Sequence, residues 1–132
     1  MKIFRIKKSR EFQEISKKSV KYHSKTILII SASTPEFYLL NQKSPTKKIT
    51  EFCRFGQTVS KKIGNAIIRN KVKRRLRAAM ADFSRDLPEY FLNNQDYILI
   101  AKKEIANANY GDILLDLKFC LKGIIRLSKA SR

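Results

Sequence analysis

The stretch EFCRFGQTVSKKIGNAIIRNKVKRRLRAAMADF (residues 51–83) changes its hydrophobic period halfway along. As far as Ser60 the apolar residues Phe52, Cys53, Phe55 and Val59 approximate the alternation of a strand. From Asn65 onward Ile68, Val72, Leu76, Ala79 and Phe83 recur at helical intervals, and at 100° per residue they fall within about 80° of arc. A strand therefore runs into an amphipathic helix, whose outer limit is Pro88. Lys71, Lys73, Arg74 and Arg77 fill the rest of the circumference, with Arg69 and Arg75 at the two seams. One face of this helix packs and the other is cationic.

Working outward, KTILIISAS (25–33) and DYILIAKK (96–103) are β-branched runs that read as strands covered on both faces, and residues 20–22 as a small extended piece. Ser9 is placed to cap a short helix over 10–18, with Phe12 and Ile15 on its inner side. Residues 34–50, with Pro35 and Pro45, read as a long surface loop. Asn109 or Asp112 caps a last helix with Ile113, Leu117, Cys120, Leu121 and Ile124 inside and Lys118, Lys122 and Arg126 outside. This order predicts one α/β (α+β) domain over 1–132, a two-layer sandwich of a sheet with helices packed on it. If the strands flanking the basic helix are parallel neighbours, the general rule predicts a right-handed crossover.

The chain carries 29 basic and 11 acidic residues, a formal charge of +18. Its most basic part, residues 59–77, has eight lysines and arginines and no acid. Without acids there are no i,i+4 ion pairs to relieve the helix, and like-charge neighbours each cost a few tenths of a kcal/mol. Such a surface calls for a polyanion. Nucleic acid fits better than a membrane, because the cations do not share one short helix with an aromatic face. The segment KKIGNA (61–66) adds a second anion seat, where lysines and a glycine precede a helix start with free N–H groups. Its spacing is not that of a P-loop, which argues against nucleotide hydrolysis.

Nothing else in the sequence composes a catalytic centre. His23 is the sole histidine and reads as a surface residue; Asp112 and Asp116 read as caps or solvated charges. The convergent carboxylates of a two-metal nuclease are missing. Cys53 and Cys120 lack metal-ligand spacing and read as reduced, buried thiols. The absence of a long apolar run or signal-peptide pattern predicts a cytoplasmic protein.

RFGQTVSKKIGNAIIRNKVKRRLR (54–77) resembles the signature of the bacterial ribonuclease P protein component, through Arg54, Gly56, Lys61, Lys62, Gly64, Asn65, Ala66, Arg69, Asn70, Lys73 and Arg74. Weaker similarity extends through REFQEI, DYILIA and NYGDILLDL. The resemblance implies a ribosomal-protein-like mixed sheet, with the basic helix in a left-handed βαβ crossover that would overturn the general rule. It also implies a subunit of an endoribonuclease that removes the 5′ leader of precursor tRNA, the catalytic centre lying on the RNA subunit. The implied partners are that catalytic RNA and precursor tRNA, with no membrane and no obligate protein partner. No cofactor is expected on the protein, and magnesium serves the holoenzyme. By position, Arg54, Lys61, Lys62, Asn65, Arg69, Asn70, Lys73, Arg74 and Arg77 are the expected RNA contacts, and Phe12, Lys25 and Ile30 the expected leader cleft. The alternative from composition alone is a ribosomal or general RNA-binding protein with no role in cleavage.

Overall fold

The computed structural model describes residues 2–6, 19–34 and 52–130. Five strands form one sheet in the order β1-β4-β5-β3-β2: β1 Lys2–Arg5, β2 Val20–His23, β3 Ile27–Ser33, β4 Phe52–Thr58 and β5 Gln95–Ala101. Two 21-residue helices pack on it, α1 Ala66–Asp86 and α2 Tyr110–Ala130. β1 pairs parallel with β4 and β4 with β5, whereas β3 runs antiparallel to both β5 and β2, so the sheet is mixed as expected. The helix expected over 10–18 lies outside the described residues, as does nearly all of the 34–50 loop.

β1 is an element the sequence reading did not contain. Residues 2–5 are flanked by charge and too short to show a period, and their pairing with β4 is a long-range event that local pattern does not encode. Ile3 of β1 packs against the main core.

The core lies between the sheet and the helices. Ile27 and Ile29 of β3, Cys53 and Phe55 of β4, and Tyr97, Leu99 and Ala101 of β5 point to the helices, and the alternate residues point away. α1 answers with Val72, Leu76, Ala79, Met80 and Phe83, and α2 with Ile113, Leu117, Cys120, Leu121 and Ile124. The expected line on α1 is thus shifted at its start. Ile68 remains 36 % exposed, and Met80, one seam further round, is buried instead. On the opposite face Ile6, Ile30 and Ile98 form a second small cluster.

The hand of the β4–α1–β5 crossover follows from chirality. In a strand running upward, an L-residue whose side chain faces the viewer directs its N–H and C=O to the right. Seen from the helix side, Phe55 faces the viewer, and its C=O accepts from the Ile6 N–H at 2.8 Å, just beyond β1. Phe52, on the away-facing phase, accepts instead from the Asn94 N–H at 2.9 Å, at the head of β5. β1 is therefore to the right of β4 and β5 to its left, so the chain rises through α1 and returns leftward. The crossover is left-handed, against the rule that governs nearly all parallel βαβ units.

One polar contact holds the two crossover strands. Arg54 and Asp96 are register partners on β4 and β5. Arg54 Nε donates to Asp96 Oδ1 at 2.8 Å and Nη2 to Oδ2 at 2.6 Å, while Thr34 Oγ1 donates to Oδ1 at 2.9 Å. The pair is sealed from water, with side-chain exposures of 2 % and 0 %. α2 is fixed by Asp116, which accepts from both the backbone N–H and the hydroxyl of Thr26. Asn109 caps α2, its Oδ1 accepting from the Asp112 N–H at 2.8 Å.

Two outcomes follow. Arg54→Ala strands a buried carboxylate and should lower the unfolding free energy by about 3–5 kcal/mol, whereas removing both charges with Arg54→Met and Asp96→Leu together should cost less than the two single changes summed; urea melts of the four proteins check this. Burial, aided by the nearby Asp96 charge, pushes the Cys53 thiol up to about 12, and burial raises that of Cys120 as well. Both thiols should therefore stay protonated at pH 8 and ignore a disulfide reagent until denaturant is added, which a thiol titration with and without urea reads directly.

Candidate nucleic-acid interface

The basic segment is built in two steps. Ser60 leads into a single 3₁₀ turn, Lys61–Ile63, pinned to the protein by Ile63, which is buried. Its two lysines are left exposed. Gly64 then takes φ 154°, a conformation rarely open to a side chain, and a Cβ there would stand 3.0 Å from the Ile68 side chain. That sharp extension aims the chain into α1. Asn65 caps the helix, its Oδ1 accepting from the Ile68 N–H at 3.0 Å. Asn65 thus spends its carbonyl on the backbone and keeps only its amide N–H groups for a ligand.

Along α1 the flank that meets α2 is set by two contacts. Arg75 Nη1 donates to the Ala108 carbonyl at 2.9 Å, and Tyr110 donates its hydroxyl to Asp82 Oδ2 at 2.6 Å. On the helical wheel Arg69, Lys73 and Arg77 lie on the other flank, with Asn70 and Arg74 on the crest. The sequence-predicted residues Lys61, Lys62, Asn65, Arg69, Asn70, Lys73, Arg74 and Arg77 thus share one element and its entry turn, as a stripe turned away from α2. Arg75, left out of that set, is structural. Ile67, 80 % exposed on the first turn, is a further surface residue beside the cations that period analysis did not single out.

Arg54 departs from the expectation. Its guanidinium is on β4, buried, and held by two hydrogen bonds to Asp96, which places it inside the sheet and not on the exposed stripe. The expected cleft set also separates. Ile30 is buried on the sheet face away from the helices, whereas Lys25, in the β2–β3 turn, lines a hollow beside α2 with Thr26, Asp112 and Asp116. Consecutive strand residues alternate faces, and the turn swings Lys25 toward α2. Phe12 lies outside the described residues.

The electrostatics of the stripe are one-sided. Among the described residues the surface ion pairs are those of Arg85 with Asp82 and Asp86, at the far end of α1. None of Lys61, Lys62, Arg69, Lys73, Arg74 or Arg77 has a carboxylate within ion-pair distance among the described residues. Arg69 Nε is moreover buried without a hydrogen-bond acceptor. The acids gather elsewhere: Asp82, Asp86, Glu104, Asp112 and Asp116 line two adjoining hollows around the start of α2. Among the described residues no group of three or more His, Cys, Asp or Glu side chains is placed to hold a metal ion, and no helix is long and apolar enough to cross a membrane. His23 is exposed at the end of β2.

This geometry coincides with a family relationship. Residues 1–124 match the family model described as Ribonuclease P. The ribonuclease P protein component of Geobacillus thermodenitrificans is 29 % identical over 131 residues, covering 99 % of this chain and 94 % of the relative. That of Streptococcus thermophilus is 33 % identical over 123 residues, covering 92 % of each. In three dimensions the chain superposes on the RNase P protein of Staphylococcus aureus with a TM-score of 0.66 at 26 % identity, over 96 % of this chain and 95 % of the other. With nearly the whole chain matched in sequence and in fold, the protein belongs to the ribonuclease P protein family.

Proposed function

We propose that this protein is the RNA-binding subunit of a ribonuclease P holoenzyme, docking on a catalytic RNA and assisting endonucleolytic removal of the 5′ leader from precursor tRNA. The observation that carries the proposal is the stripe of Lys61, Lys62, Arg69, Lys73, Arg74 and Arg77, held on a rigid helix and its pinned entry turn with no countercharge of its own. Phosphates of an RNA backbone complete it. Lysines and arginines would displace condensed counterions, and the forked guanidinium groups suit paired phosphate oxygens. The acceptor missing from Arg69 Nε is the kind of group a phosphate or a base edge supplies. Asn65 and Asn70 add uncharged donors next to the cations, and the N–H groups at the start of α1 add a third source of positive potential.

The chemistry of cleavage is assigned to the RNA partner. The cations of the stripe are placed to hold and screen RNA, and the carboxylates stand apart from them around the start of α2, so the role proposed for the protein is positional and electrostatic. A cationic surface beside the cleavage site lowers the repulsion between two polyanions, the catalytic RNA and its substrate, and so lowers the concentration of magnesium the holoenzyme requires. The leader strand is assigned to the sheet face that carries Ile30, where single-stranded bases meet an apolar surface.

Two measurements test this reading. Arg69→Ala combined with Lys73→Ala should leave thermal unfolding nearly unchanged, weaken binding to the catalytic RNA, and make the log–log salt slope shallower by about 2; an unaltered slope contradicts the assignment of these residues. Precursor-tRNA cleavage at low magnesium should be accelerated by the wild-type protein added to the RNA subunit, and far less by the double variant. Cleavage indifferent to the protein contradicts the proposed role and favours a general RNA-binding function.

A further inference from the structure

α2 has a second surface that its core line does not explain. Leu115, Phe119, Lys122 and Arg126 fall on its outermost stripe, roughly 140–180° from the buried Leu117. Leu115 and Phe119 are 67 % and 51 % exposed. Phe119 has a partner in Tyr22 of the edge strand β2, the ring centroids 5.3 Å apart and the planes inclined by 56°. Tyr22 is itself immobilised. Its ring lies so close over Gly123 that a Cβ there would come within 2.4 Å of three ring atoms, and its hydroxyl accepts from Arg126 Nη2 at 3.1 Å. Glycine at 123 is therefore the residue that admits the ring.

The result is a fixed aromatic shelf. A shallow hollow lined by Phe119, Lys122, Ile125 and Arg126 adjoins it. Lys122 rests with its ammonium 5.7 Å from the Tyr90 ring centroid. The nearest acids on the helix are Asp116, taken up by Thr26, and Asp112, two turns toward the N-terminus. From Lys118 to the end of α2 every charged residue is a cation. Half-exposed aromatic rings flanked by unneutralised cations are the combination that holds single-stranded nucleic acid, a base on the ring and the adjoining phosphates on the cations. A helix of a partner protein would seat Leu115 and Phe119 equally well, but it would leave Arg126 and Lys122 without countercharge unless it were acidic.

The geometry points to a second RNA-contact site on the Tyr22–Phe119 shelf, which stacks one unpaired base on Phe119 and binds its neighbouring phosphates through Lys122 and Arg126. It does not depend on the α1 reading, since α1 presents its stripe on the flank away from α2 whereas the shelf lies at the β2 edge of the sheet. Its occupant is a single-stranded segment of RNA.

The chain contains no tryptophan, so Phe119→Trp creates a single emission reporter on the shelf. Binding of an oligoadenylate decamer to the full-length Phe119→Trp protein should quench that emission saturably. Lys122→Ala with Arg126→Ala in the same background should weaken the quenching isotherm roughly five-fold or more, whereas Arg69→Ala with Lys73→Ala should leave it in place. As a check that needs no substitution on the shelf, a decamer carrying 5-iodouridine, irradiated with wild-type protein, should cross-link to Tyr22 or Phe119. Emission unmoved by a decamer that anisotropy shows to be bound, with cross-links confined to α1, overturns the proposal. So does a blue shift of emission that grows with protein concentration and is insensitive to the decamer, which assigns the shelf to a second copy of the chain.

Discussion

A single buried ion pair ties together the two strands on which the cationic helix hangs. Arg54 and Asp96 face each other across parallel β4 and β5, on the side of the sheet away from the helices. The pair contributes little net stability compared with apolar packing, because desolvating both charges offsets most of their attraction. What it contributes is register: a one-residue slip of β5 against β4 would leave a carboxylate and a guanidinium buried and unpaired, at a cost of several kcal/mol. Register in turn fixes where β4 ends and where α1 must begin, and so the direction in which the cations project.

From there the interface is assembled by ordinary devices, each with a separate cause. Ile63 docks the entry turn, Gly64 supplies the one backbone angle a side chain resists, Asn65 caps, and the apolar line of α1 fixes its rotation about its axis. Arg75 and Asp82, one reaching Ala108 and the other receiving Tyr110, occupy the flank next to α2. The remaining cations are left on the outer side, and the acids collect in the last turns of α1 and around the start of α2. Charge segregation here is a by-product of which helix flank packs, and it leaves one surface suited to a polyanion.

Much of this could be read from the residues. The change of period at Asn65, the two buried-type strands and the apolar line of α2 are local patterns, and the structure places each within about two residues of its expected limits. What escaped was non-local. β1 is four residues whose strand character comes from pairing with β4. The role of Arg54 depends on Asp96, 42 positions along the chain, and without that partner an arginine next to a basic motif reads as one more RNA contact. Lys25 and Ile30 are close in sequence, yet a turn and the pleat of β3 send them to different sides. The hand of the crossover was legible only through family resemblance, since general physics favours the opposite hand. The signal for the α2 shelf was in the sequence all along: Phe119 falls far from the apolar line of its own helix.

The central claim is that the stripe on α1 and its entry turn is the surface an RNA subunit neutralises. Lysine acetylation footprinting of the protein, free and assembled with the catalytic RNA, tests it most directly. Lys61, Lys62 and Lys73 should lose reactivity on assembly while Lys118 of α2, which lines the hollow with Asp82, Asp86 and Asp112, keeps it. Full reactivity of those three lysines in the assembled particle would contradict the account.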